Sequence, residues 1–363
     1  MKPTTIVAAT RSFEKWLATH IPVVKTDLVK KHEAMASDPF IFLRATFYRW
    51  AQVFPTLCGD LMDAAVVRAV CDLHVENYST WRDGEGRLIW GINDFDEAYH
   101  QPYTLDLVRL GTSTKLAIRA SKLSIRVSDA CSVILDGYRE GLARGIKPIV
   151  LAEENVRLGR IVSSELRHPK VFWAKLDLQV NRRARVGDDV KQVLRSHMPE
   201  PGIDCTFGSR TAGKGSLGRP RFVALGHWNG ARIAREAKMI VPSACVWAGL
   251  GEPASVGRRI RESLLVHSGD PSVVADNGWT VRRLAPDCSR VEFSDLPSNT
   301  NAEVLLRAMG IEAANVHMGT EGAARRIAAD LKKRGDNWLF DAVRVMTNSV
   351  RADHEDWKLN FRR

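Results

Sequence analysis

After Asp38-Pro39, apolar side chains recur at near-helical spacing (Phe40, Phe42, Leu43, Phe47, Trp50), so residues from about 10 to 55 read as helices with a buried stripe. The pattern then shortens. Apolar runs at Ala65 to Cys71 and Leu88 to Ile92 flank Asp83-Gly84-Glu85-Gly86, a turn between strands. Helical spacing returns from Leu105 to about Leu142 and around Glu153 to Leu166. From about 175 to 290 the chain reads as strands around a glycine cluster at 213 to 218, followed by Arg221 to Leu225 and Ala231 to Met239. Three further helices are predicted over Ala302 to Val316, Ala323 to Lys333 and Trp338 to Trp357. The result is an α+β chain in three segments: a helical first part (1–174), a β-rich insert (175–290) and a helical second part (291–363). There is no internal repeat.

At 363 residues the chain is long enough for two lobes, and no apolar run approaches the roughly 18 residues that would span a bilayer. Arg11, Glu14 and Lys15 interrupt the place where a secretory leader would continue its apolar region, so the expected location is cytoplasmic. The six cysteines form no Cys-x-x-Cys pair, which argues against zinc and a disulfide framework and for buried thiols. A formal charge of +11 favours anionic partners without choosing among them.

The stretch Asp72-Leu73-His74-Val75-Glu76-Asn77, followed by Asn93-Asp94-Phe95-Asp96-Glu97, changes that picture. Phosphoryl transfer needs a carboxylate beside the attacking hydroxyl, and an amide oxygen and second carboxylate to hold magnesium on the phosphates. Asp72, Asn77 and Asp94 supply this set. The step from Asp72 to Asn77 matches the Asp-x-x-x-x-Asn pattern of kinase catalytic loops, and a short hairpin would return Asp94 to the same place.

Asp-x-His-x-x-Asn followed by Asp-Phe-(acidic)-x-Ala resembles the aminoglycoside phosphotransferase and choline kinase branch of the protein-kinase-like proteins. More closely, Asp38-Pro39-Phe40-x-Phe42-x-Arg44, the Asp72 and Asp94 motifs, and Leu105-Asp106-x-x-Arg109-Leu110 resemble an uncharacterised bacterial family, domain of unknown function 2252. The resemblance continues through Gly213-x-Gly215-Ser216-x-Gly218, Lys238, Pro242-Ser243 and the helix ending near His317, and is thin between about 120 and 205. It implies that Asp72 orients or deprotonates the acceptor, that His74 lies near the transferred phosphate, and that Asn77, Asp94 and Asp96 bind magnesium. Asp106 would brace the catalytic loop through backbone hydrogen bonds. Val70-Cys71 stands where protein kinases carry His-Arg, and Phe95-Asp96 replaces their Phe-Gly. The short span from Asp94 to Asp106 leaves little room for a long activation segment, which favours a small-molecule acceptor.

Gly213-Lys214-Gly215-Ser216-Leu217-Gly218 runs into an apolar strand rather than a helix, which separates it from a dinucleotide fingerprint and suits a loop folded over ATP phosphates. Lys238, on the next strand, would pair with the α- and β-phosphates, and Glu262 would hold that lysine in place. Conventional kinases place these parts before the catalytic loop. Here they follow it, so the expected fold is a bilobal, circularly permuted kinase-like one, with the Thr280 to Leu284 strand as hinge. The expected activity is ATP- and magnesium-dependent phosphotransfer to an unidentified acceptor. Transfer of a nucleotidyl group is an alternative on the same residues. A nucleic-acid-binding role is a second alternative, raised by Arg182-Arg183-x-Arg185 and Arg258-Arg259-x-Arg261 and disfavoured because no stacking aromatics interleave them.

Overall fold

The aspartate of Asp38-Pro39 does what the pattern requires: its Oδ1 accepts from the backbone N–H groups of Phe40 and Ile41, capping the helix Pro39–Ala45. The computed structural model describes residues 4–121, 123–163, 168–252, 269–288, 296 and 298–361. Among them, helices Ile6–Ala18, Lys25–Ser37, Pro39–Ala45 and Phe47–Leu57 precede strands β1 (Val66–Ala69), β2 (Tyr78–Arg82), β3 (Leu88–Ile92) and β4 (Tyr99–Pro102). β1 pairs with β4, and β2 pairs with β3 through the expected turn at Asp83. β5 (Ile149–Val150) extends the second sheet. Helices Tyr103–Ala120, Val127–Arg144, Asn299–Met318 and Trp338–Phe361 pack around these strands in one continuous core.

The fold is a mixture of helix and sheet, as the periodicity indicates. Between 175 and 290 the chain forms β6 (Val180–Asn181), β7 (Cys205–Arg210), β8 (Arg221–Trp228), β9 (Ala231–Met239), β10 (Val274–Asp276) and β11 (Trp279–Arg283). These make one antiparallel sheet in the order β10-β11-β9-β8-β7-β6. The segment is less purely strand-like than its sequence suggests, because helix Asp188–Ser196 packs Val190, Val193 and Leu194 against one sheet face. Helix Pro169–Gln179 covers part of the other with Phe172, Trp173 and Leu176. A boundary at 174/175 therefore cuts this second helix, whose apolar face belongs to the sheet.

Side chains alternate across a strand, so the β8–β9–β11 register fixes what shares that second face. Arg221 lies opposite Lys238, Val223 opposite Glu236 and Leu225 opposite Ala234, while Arg282 pairs with Glu236. One end of the face is apolar. The other carries Arg210, Arg221 and Arg282 around the fully buried Glu236, with contacts of 2.5, 2.6 and 2.8 Å. Burial alone would raise the Glu236 carboxyl, but the arginines Arg221, Arg282 and Arg210 override it and hold the group well below the usual carboxylate range.

Arg182 is an exposed partner of Asp177. Arg258-Arg259-x-Arg261 lies outside the described residues. All six cysteines are free; Cys58, Cys71, Cys131 and Cys245 are buried, whereas Cys205 and Cys288 are only half-buried. No described helix is long and apolar enough to cross a membrane.

Removing the hub of the arginine cluster leaves three cations on a closed sheet face. Glu236→Ala should cost about 3–5 kcal/mol, the range for breaking a buried ion pair. Urea unfolding checks this, and a loss under 1 kcal/mol would show that the arginines find other partners.

Candidate active site

The segment Asp72 to Asn77 follows a strained residue. Cys71 has φ 69, a left-handed conformation uncommon outside glycine, and it immediately precedes Asp72. Its geometry is held by Asp106, whose carboxylate is fully buried and accepts from the backbone N–H of Val70 and of Cys71, each at 2.7 Å. His317 Nε2 lies 3.0 Å from the same carboxylate, and its Nδ1 is 2.7 Å from the Tyr138 hydroxyl. The bracing role expected of Asp106 is thus visible in its contacts.

Asp72 Oδ1 is clamped by the guanidinium of Arg109, whose Nε donates at 2.8 Å and whose Nη2 donates to the same oxygen. Arg109 is itself locked between Phe47 and Trp50, each ring centroid 5.0 Å from the guanidinium carbon. Oδ2 faces the glycine loop: a methyl group added to Gly215 would lie 3.8 Å from Asp72 Oδ2 and 2.8 Å from the Arg44 carbonyl oxygen. Glycine at 215 is therefore required by close approach. Gly213 and Gly218 have φ of 77° and 97°, backbone shapes that other residues rarely adopt. Burial pushes the Asp72 carboxyl up to about 6, against the pull of Arg109.

Asn77 donates from Nδ2 to the Asp72 carbonyl at 3.0 Å, and its amide oxygen makes no hydrogen bond among the described residues. His74 is buried and lines the same pocket as Asp72 and Asn77; its Nδ1 accepts from the Glu76 N–H. The β3 strand delivers Asp94, as the hairpin predicts. Lys238 Nζ is 3.6 Å from Asp94 Oδ1 and also pairs with Asp96. Asp96 is held by Arg219 as well, at 3.2 Å, and Arg219 bonds Glu97 at 2.6 Å. Glu262 lies outside the described residues.

Gly213, Gly215, Ser216, Asp72, His74, Asn77, Asp94 and Asp96 therefore surround one pocket of about 60 Å³. Gly213, Ser216 and Asp94 also border a cleft of about 510 Å³, which runs under the polar face of the large sheet past Arg221 and Arg282 to Leu284. Gly218 is more remote: its role is to let the chain pass Leu28, which a methyl group there would meet at 2.6 Å.

Several functional side chains escape a motif search. Arg109 and Arg44 lie inside the sequence motifs but look structural in sequence; Arg44 pairs with Glu76 of the segment Asp72 to Asn77. Arg221 bridges Glu236 to the loop, donating to Ser216 Oγ at 2.7 Å. Period-two spacing of 221, 223, 225 against 234, 236, 238 could have placed Arg221, Glu236 and Lys238 together.

Among the described residues no three His, Cys, Asp or Glu side chains form a ready-made metal cage. Magnesium does not need one, because it commonly takes one or two carboxylates and completes its shell with phosphate and water. The uncommitted Asn77 amide oxygen and the Asp94 carboxylate are hard oxygen donors of that kind. Beside them the Asn93 side-chain oxygen is buried without a hydrogen-bond partner, a further acceptor left unsatisfied in the protein alone.

Residues 24–172 match the model of a family described as an uncharacterized protein conserved in bacteria (DUF2252). The match supports that uncharacterised bacterial family for the segment holding Asp72, Asn77, Asp94 and Asp106; it stops before the glycine loop and Lys238. It also includes residues between 120 and 172, where the motif resemblance is thin. No curated protein and no solved structure matches the chain.

Asp106→Ala should leave the Val70 and Cys71 N–H groups buried and unpaired, at about 1–3 kcal/mol each. Denaturant unfolding should show a loss of several kcal/mol; a loss below 1 kcal/mol would mean that the loop does not depend on this carboxylate.

Proposed function

We propose that the protein is an ATP- and magnesium-dependent phosphotransferase with a bilobal, circularly permuted kinase-like arrangement, acting on a small-molecule acceptor. The observation that carries this reading is the convergence of two distant segments. Gly213, Gly215 and Ser216 line one pocket with Asp72, Asn77 and Asp94, and Lys238 reaches the Asp94 carboxylate at 3.6 Å, although these segments are far apart in the chain. A glycine loop that were only a hairpin would have no cause to approach Asp72 this closely.

In this reading the 510 Å³ cleft takes the nucleotide. The arginine-bearing sheet face supports a polyanion there, since Glu236 neutralises only one of the three cations it gathers. Backbone N–H groups of the glycine loop and the ammonium of Lys238 would orient the phosphates. Asn77 and Asp94, with Asp96 beside them, would hold magnesium, which supplies neutralisation of phosphate charge. Asp72 would position the acceptor hydroxyl and take its proton through Oδ2, Oδ1 being fixed by Arg109. The Arg109 clamp and the Asp106 brace aim this carboxylate before substrate arrives, which lowers the cost of reaching a reactive geometry.

ATP with magnesium should raise the melting temperature, because a ligand bound to the folded state alone stabilises it. Asp94→Asn should reduce this shift strongly, while Asp72→Asn should largely keep the shift and lose turnover by 100-fold or more, on the order of general-base contributions. The reverse pattern would exchange the two roles, and no shift in the wild type would remove the nucleotide altogether. Labelled ATP separates phosphoryl from nucleotidyl transfer.

The carboxylate form of Asp72 is the one that accepts a proton. Turnover should therefore rise with pH to a plateau, with an apparent midpoint near the Asp72 value of about 6. A flat pH–rate profile between pH 5 and 8 would show that no group of this kind limits the reaction.

A further inference from the structure

The 60 Å³ pocket beside Asp72 has a wall of Phe13, Leu17, Phe47 and Tyr48, and Lys31 is among its lining residues. Lys31 is only 3% exposed. Its ammonium lies 5.8 Å from the Phe13 ring centre and 5.4 Å from that of Tyr48. Among the described residues it has neither a hydrogen-bond acceptor nor an ion-pair partner. This isolates it chemically: the other cations lining the pocket, Arg44 and Arg219, are engaged by Glu76 and by Asp96 and Glu97.

An unpaired buried ammonium is expensive. Burial lowers its pKa to about 8, partly offset by Glu14, so it remains mostly charged at neutral pH. The aromatic faces compensate only in part. Hydrophobic packing at this position would be served better by Met or Leu, so the charge serves something that enters the pocket. Nucleotide phosphates already have the glycine loop, Lys238 and the arginine face, which leaves Lys31 to the other substrate.

We propose that Lys31 is a specificity residue for the acceptor and that the acceptor is a small hydroxyl compound bearing an anionic group, a carboxylate or phosphate, within a few bonds of the hydroxyl. The hydroxyl sits at Asp72 and the anion at Lys31, between the Phe13 and Tyr48 rings. The pocket size limits this end of the molecule to a few heavy atoms. The proposal rests on the phosphotransferase reading of the same site.

The test is a melting-temperature series on the full chain with magnesium and a non-hydrolysable ATP analogue present, at constant ionic strength. The added probes are glycerate, glycerol and choline, of similar size but anionic, neutral and cationic. Glycerate is expected to add a further upward shift in the wild type, glycerol and choline none, and Lys31→Met to abolish the glycerate shift while keeping that of the nucleotide. Lys31→Arg should restore part of it. A wild type that responds equally to glycerol, responds to choline, or ignores glycerate overturns the proposal, as does a glycerate shift that survives Lys31→Met. If Lys31→Met instead loses the nucleotide shift, the lysine serves the γ-phosphate and the acceptor role is wrong. If the wild type shows no nucleotide shift, the phosphotransferase reading fails, and this proposal with it.

Discussion

A fully buried carboxylate, that of Asp106, sets the shape of the site. By accepting from the N–H groups of Val70 and Cys71 it stabilises a left-handed residue that local preference would not adopt, and that residue turns Asp72 toward the cleft. His317 and Tyr138 tie the same carboxylate to helices on the opposite side of the core. The turn before Asp72 is thus anchored from within the helical body. Arg109 adds a second constraint by occupying one oxygen of Asp72 and leaving the other toward the glycine loop.

Charge is distributed unevenly between the two sides of the cleft. On the sheet side, one glutamate gathers three arginines and the surplus positive charge faces the cleft. On the helical side, Asp94 and Asp96 meet Lys238, and Arg219 ties Asp96 to Glu97. These contacts cross between the two parts of the chain, so a metal at Asp94 would compete with Lys238 for the carboxylate, and a phosphate would compete with Asp94 for the ammonium. Such competition couples ligand binding to the spacing of the cleft without requiring any further moving part.

Much of this was legible in the residues. Asp38-Pro39 announces a capped helix, the 83–86 turn announces the β2–β3 hairpin, and Pro220 marks the start of β8. The ordered spacing of Asp72, Asn77 and Asp94 is readable because one loop and one short hairpin hold all three. What was not legible depends on pairing over distance. Nothing near Glu236 in sequence says that Arg210 and Arg282 will reach it, since that follows from strand register. Arg109 reads as a helix residue until its helix is seen to cross beneath Asp72. Lys31 looks like a solvated lysine of the weakly amphipathic helix Lys25–Ser37, and only the packing of Phe13 and Tyr48 over it shows that it is buried. Helix Asp188–Ser196 was hidden because its polar face dominates its composition, although three apolar residues at helical spacing cover the sheet.

Whether a nucleotide binds between the glycine loop and the Asp72, Asn77 and Asp94 groups decides the proposed function. A crystal structure with magnesium and a non-hydrolysable ATP analogue tests it most directly. Phosphates are expected between the backbone of the glycine loop and Lys238, with a metal touching Asp94 and the Asn77 amide oxygen and a γ-phosphate facing Asp72 Oδ2. Nucleotide bound away from this cleft, or phosphates with no metal at Asp94, would contradict it.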